Sequence, residues 1–353
     1  MKGVYMGIIL ALLVFGFLVF FHELGHFLLA KKNGIAVTEF SIGMGPRLCS
    51  FVKGETRYSL KALPFGGSCQ MLGEDGESSD EHAFNNRSVW ARISVVIAGP
   101  VFNFILAFLM ALIVIGYAGY DKPMIIGVME GYPAQEAGIM EGDVITRINN
   151  KKVTIYRDVQ FYMAVNAGQP LSISVNRNGE KLTFDIIPKQ DENGNYYMGI
   201  YSSAVRTQAK GLEVLKYSLY EVQYQMSVVV KSIGMLFNGT VSVNDLSGPV
   251  GIVDMVDTVV EESTSEEVDI KTNVISVLLN VINFSIMLSA NLGVMNLLPI
   301  PALDGGRLVF LIIEAVRGKP VDREKEGMVH FVGLMLLMVL MVYVMFNDIR
   351  RLF

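Results

Sequence analysis

The sequence predicts a multi-span α-helical membrane protein with an inserted strand-rich domain. Three observations predict it. Of 353 residues, 52% are hydrophobic and 18% charged, and mean hydropathy is +0.43, more apolar than an ordinary soluble chain of this length. Four long apolar stretches approach or exceed the ~20 residues a helix needs to cross a bilayer. Between the second and third, the pattern changes to short alternating runs such as LSISVN and LTFDIIP, separated by turn signals such as NRNGE.

Val4 to Ala30 is nearly unbroken hydrocarbon apart from HELGH and reads as span one. Lys2 ahead of an apolar run resembles a signal peptide, but no small-residue cleavage pattern follows, so the segment is expected to be retained. Residues 31–88 turn polar and glycine-rich, with IGMGP and PFGG suiting turns and short strands. Val89 to Tyr117 is span two, with Ala98, Gly99 and Pro100 near its start permitting close helix packing. After the strand-rich segment at 124–188, residues 211–238 and 248–260 carry apolar positions at helical spacing. They suit helices on the membrane surface or helices packed in a core. Glu261 to Lys271 reads as an exposed acidic loop, Asn273 to Leu298 as span three and Val329 to Phe346 as span four. Asn280, Asn283, Asn291 and Asn296 in span three are amides of the kind that hold helices together.

Four spans place both termini on one side. Basic residues gather at 31–88 and 305–328, which assigns those loops to the cytoplasm and the strand-rich domain to the outside; Lys2, Arg350 and Arg351 oppose this but are fewer. A net charge of −5 with scattered basic residues gives no footprint for nucleic acid. Cys49 and Cys69 lack the paired spacing of a zinc ribbon and read as reduced structural thiols.

The chemistry-bearing string is HELGH. Residues four apart share a helix face, so His22 and His26 can offer two imidazole nitrogens to one ion. A catalytic zinc takes three protein ligands and keeps a position for water. It lowers that water's pKa towards 7, and Glu23 is placed to accept the proton and return it to the leaving amine. By chance H-E-x-x-H occurs in roughly one chain per hundred of this size. Its location in a span strengthens it, because ionisable groups at hydrocarbon depth cost at least about 2.5 kcal/mol each. Asp304, at the Pro- and Gly-interrupted end of span three, is the best candidate for the third ligand. A helix N-cap is the structural alternative for this Asp, and His330 and His82 are rival ligands.

With FHELGHFLLAKKNGI, FSIGMGP, PFGG, AFNNRSV, AGPVFNF, SGPVGI and NLLPIPALDGGR running nearly end to end, the chain resembles the site-2 protease family of intramembrane metalloproteases, and within it the bacterial RseP type. The resemblance implies zinc held by His22, His26 and Asp304, with Glu23 as general base. It also implies that Asn296 and Pro299 help hold an unwound substrate, and that residues 58–72, with Gly66 and Gly67, form a membrane-associated β-hairpin to which an extended substrate adds a strand. Residues 131–149, GYPAQEAGIMEGDVITRIN, look like the core of one extracytoplasmic PDZ domain, where some relatives carry two.

The expected organisation is an N-terminal membrane core at 1–117, a PDZ domain at 118–204, amphipathic surface helices and a loop at 205–271, and a C-terminal membrane core at 272–353. The expected function is cleavage of transmembrane segments of single-span proteins, such as pre-trimmed anti-sigma factors, or of remnant signal peptides. The implied partners are those substrates, the lipid bilayer and an upstream site-1 protease; the implied location is the bacterial inner (plasma) membrane, with the active site nearer the cytoplasm. The alternatives are a PDZ-containing scaffold or chaperone without proteolysis, which would need none of the His-Glu-His-Asp set, and a metal-ion transporter, which would show repeated broken helices.

Overall fold

Helix α1 (Lys2–Lys32) ends where its sequence turns to Asn-Gly. Gly34 adopts φ 68°, and Ile35 N–H returns to Ala30 O at 2.9 Å, closing the last turn beside Lys31 and Lys32, whose charges suit a helix C-terminus. The computed structural model describes residues 2–74, 76, 78–191, 194–202, 206–265 and 268–352. Its contacts divide into two units, 1–110 with 225–353, and 111–224.

In the first unit, α1 is followed by the antiparallel pair β1 (Val37–Lys53) and β2 (Thr56–Met71). These strands are longer than the short strands and turns anticipated from the glycines. Gly43, Gly45 and Gly66 take positive φ inside them, so the signals read as turns act as kinks, and the register shifts repeatedly. As a result Phe40 faces Cys69 on one side and Tyr58 on the other. Phe40 and Cys69 join Val37, Met71, Phe84 and Val95 in a buried cluster against which Phe20, Leu24 and Phe27 of α1 pack. Helix α2 (Val89–Ala118) begins in this unit and carries Pro100 in its interior.

The second unit holds β3 (Ile125–Val128), α3 (Pro133–Glu136), β4 (Val144–Ile148), β5 (Lys151–Lys152), α4 (Tyr156–Val165), β6 (Leu171–Arg177), β7 (Glu180–Ile186), β8 (Lys189–Gln190), β9 (Tyr196–Tyr197) and β10 (Ile200–Ser202). An antiparallel sheet runs β5-β4-β6-β7, and β10 pairs with β3. The alternation read in LSISVN is the pleat of β6: Leu171, Ile173 and Val175 are buried with Ile145 and Ile148 of β4. Ala204, where the sequence reading ends the domain, lies outside the described residues.

Helix α5 (Leu212–Phe237) continues from this unit into the first, followed by α6 (Pro249–Glu262), α7 (Ile270–Leu297), α8 (Asp304–Arg317) and α9 (Arg323–Leu352). Helix α6 packs on α1, α7 and α9. The buried Asp348 of α9 accepts the N–H groups of Gly248 and Gly251, each at 2.9 Å, and so supplies partners for the first turn of α6. Among the described residues, four helices are long and apolar enough to cross a membrane, at 7–32, 89–118, 270–297 and 323–351. Glu266 and Glu267 of the acidic stretch lie outside the described residues.

Candidate active site

His22, Glu23 and His26 lie on α1, and both histidines are buried. The face they share is crossed by α2 at van der Waals limits. A Cβ on Gly25 would stand 2.4 Å from Ala98 O, and one on Gly99 would stand 2.3 Å from His26 Nε2 and 2.8 Å from His22 Cε1. The small residues noted in span two thus let its backbone lie directly on the imidazoles.

Asp304 reaches the same point from the other end of the chain. After α7 the backbone turns through Pro299 and Pro301, and Asp304 opens α8 as its first residue, with Leu303 in the N-cap position. The N-cap reading of Asp304 is therefore replaced by one in which its side chain is directed to the histidines. Asp304 Oδ2 is 3.1 Å from His22 Nε2 and 3.5 Å from His26 Nε2, while the two Nε2 atoms are 3.2 Å apart. The next two residues must lack side chains, because a Cβ on Gly305 or Gly306 would meet Leu298 O at 2.0 Å or Ile300 O at 2.4 Å. Ala302 takes φ 75°, and its N–H donates to His330 Nδ1 at 2.9 Å. His330, the rival ligand, is thereby engaged by the turn; His82 is exposed and paired with Asp80.

The donor set fits zinc. His26 Nδ1 lies 2.9 Å from Val95 O, a carbonyl that can only accept, so Nδ1 carries the proton and Nε2 presents a lone pair. Asp304 Oδ2 is buried and makes no aligned hydrogen bond despite its two close nitrogens. Its position suits sharing an ion better than sharing a proton. The three ligand atoms lie within 4.8 Å of one another, and two imidazoles with one carboxylate form a catalytic-type donor set that leaves a coordination position for water.

Strand β2 passes the site at Gly67, where a Cβ would stand 3.0 Å from Glu23 Cγ and 3.0 Å from Ser41 O. Gly66 faces the Met44 side chain instead. Asn296 sits half-buried near the end of α7, and Pro299 is exposed in the turn leading to Asp304.

Ion pairs fix the surrounding elements. Arg307, in the first turn of α8, pairs with Glu74 just beyond β2, and Arg92 of α2 pairs with Glu314 of α8. In the hairpin, buried Glu39 accepts from Arg47 at 2.8 and 3.0 Å and from Ser59 at 2.6 Å; the Arg47 guanidinium, aided by Ser59 and Lys61, holds its carboxyl down to about 2. Sequence reasoning placed Gly99 only as a small packing residue and did not find Asn103, Val95 O or the Glu74–Arg307 pair. AGPVFNF held a signal for the first two, since Gly99 and Asn103 are four apart on one helix face.

The profile of peptidase family M50 matches residues 10–340. A Clostridium acetobutylicum protein is 38% identical over 98% of both chains. The zinc metalloprotease RasP of Bacillus licheniformis is 34% identical, and the regulator of sigma-W protease RasP of Bacillus subtilis 33%, each match covering 98% of this chain and 99% of the relative. The PDZ domain of an SdrC-like protein from Listeria monocytogenes aligns with 24% of this chain and 88% of its own at 22% identity, with a TM-score of 0.22, too low to establish a shared fold. These matches select the hydrolase over the scaffold and transporter readings: the chain belongs to peptidase family M50, the site-2 proteases, and is a membrane zinc metalloprotease.

Proposed function

We propose that this protease hydrolyses peptide bonds within transmembrane segments, its substrates being single-span proteins already trimmed by another protease, such as anti-sigma factors, or remnant signal peptides. The observation that carries the reading is the meeting of Asp304 with His22 and His26, which lie on a helix long and apolar enough to span a membrane, with β2 running past Glu23 at Gly67. His22, His26 and Asp304 hold zinc, which when bound acidifies water and polarises a carbonyl. Glu23 takes the proton of the attacking water and delivers it to the departing amine. A peptide bond inside a helix is shielded by its own backbone bonds, so the substrate must be extended first. The edge of β2 near Gly66 and Gly67 offers backbone partners for such a strand, and Asn296 and Pro299 are the further residues that help hold it unwound.

The unit 111–224 acts as an extracytoplasmic PDZ domain that screens or captures substrate, and the metal centre lies nearer the cytoplasmic face of the inner membrane. The basic loops support this orientation. The test incubates purified protein with a labelled transmembrane substrate, comparing wild type, Glu23→Gln and a chelator-treated sample. Loss of cleavage by a factor of about 10² to 10⁴ in Glu23→Gln, with zinc retained, is expected. Equal cleavage in all three samples would sink the proposal.

A further inference from the structure

Asn103 of α2 is fully buried one helical turn beyond Gly99, and its backbone carbonyl accepts the Ser289 hydroxyl of α7 at 2.8 Å. Its side-chain amide meets the ring nitrogen of His22 that faces away from Asp304: Nδ2 is 3.0 Å from His22 Nδ1. Asn103 Oδ1 is buried without a hydrogen-bond partner among the described residues. An unpartnered amide oxygen beside a ligand imidazole has a chemical consequence. Zinc at Nε2 needs a lone pair there, which requires the proton on Nδ1, and a proton on Nδ1 needs an acceptor. The two ends of a carboxamide have nearly the same shape, so a half-turn about χ2 exchanges them in place and presents Oδ1 to Nδ1.

We propose that Asn103 is a positioning residue of the metal centre, its amide oxygen accepting the Nδ1–H of His22 and so fixing the tautomer that turns the Nε2 lone pair to zinc. The inference rests on the ligand set proposed above. Val95 O performs the matching task for His26. Helix α2 thus supplies both outer partners of the α1 histidines, one from backbone and one from side chain.

The test measures zinc affinity of the full-length protein in detergent by competition with a chelator, with no proteolysis involved. Asn103→Asp, whose carboxylate can only accept from Nδ1–H, is expected to bind as wild type. Asn103→Leu, similar in size but without an acceptor, is expected to lose about 10- to 100-fold in affinity. Should Asn103→Leu not fold, Asn103→Ala takes its place with the same expected loss. Wild-type affinity in the Leu or Ala variant overturns the proposal, as does an equal loss in Asn103→Asp, which would assign Asn103 to packing alone. His22→Ala in the same assay separates the two levels: if it binds zinc undiminished, the ligand set itself is wrong.

Discussion

A single methyl group at position 99 would occupy space the two imidazoles already fill, since the nearest ring atom would be only 2.3 Å away. Gly99→Ala is therefore expected to push the histidines off their shared point, at a cost of about 1–3 kcal/mol for overpacking. Zinc content at limiting free zinc should fall tenfold or more, and an unchanged value would show that α2 yields instead. Gly67→Ala presses on Glu23 Cγ rather than on the ligands, so it should retain zinc while losing cleavage. At this scale the sequence was legible where the metal chemistry itself asks for a ligand. His22 and His26 announce themselves through helical spacing, and Asp304 through an unmet demand for a third ligand. Asn103 and Val95 were not legible, because they approach the histidines from 81 and 69 residues away and nothing in HELGH specifies which helix will cross it.

The pair β1 and β2 converts glycine-rich sequence into a folded sheet whose buried carboxylate is held by Arg47. Because the folded-state pKa of Glu39 is depressed to about 2 from an ordinary value of 4.5, its contribution to stability is fully present above pH 4.5 and is lost as pH falls towards 2. Amide exchange of the hairpin should quicken over that window. Arg47→Ala should move the onset to higher pH; an unmoved onset would assign it to another group. The turn into α8 depends on a partner more distant in sequence. His330→Leu leaves the Ala302 N–H without its acceptor and should cost about 0.5–1.5 kcal/mol in thermal unfolding. The four long apolar helices were readable from apolar length, whereas α8, which lies in the segment read as the basic 305–328 loop, and the register of the hairpin were not. Gly43, Gly45 and Gly66 carry the same signal whether they end a strand or bend it, and only packing against Phe20, Leu24 and Phe27 decides.

Across the whole chain, the two contact units rest on different forces. The unit 111–224 has a closed apolar core and a buried carboxylate, Asp143, which burial pushes up and the bidentate Arg177 brings below its ordinary range. Arg177→Ala removes the bidentate partner of that carboxylate and should destabilise this unit, read as a lowered unfolding transition, while zinc binding stays unchanged. In the unit 1–110 with 225–353, the two native cysteines report sidedness. Cys49 is exposed, whereas Cys69 is buried and its thiol is pushed up by that burial. An impermeant thiol reagent should label Cys49 from the cytoplasmic side of oriented vesicles and leave Cys69 slow; labelling of Cys49 from the opposite side would invert the topology. Strand alternation and apolar length were legible in sequence element by element. The point where α5 passes from one unit to the other was not, since its periodicity runs on without a break.

Helix α1 is also a ruler. His22 and His26 stand ten and six residues before Lys32, a rise of about 9–15 Å at 1.5 Å per residue. A substrate segment aligned with it would be cut about 9–15 Å inside its own basic border, a position that mass spectrometry of the products can read. The piece below the cut is then about half the length that holds a helix in a bilayer, and it can slip free into water. On the proposed function, one hydrolysis at that depth would turn a tethered protein into a messenger.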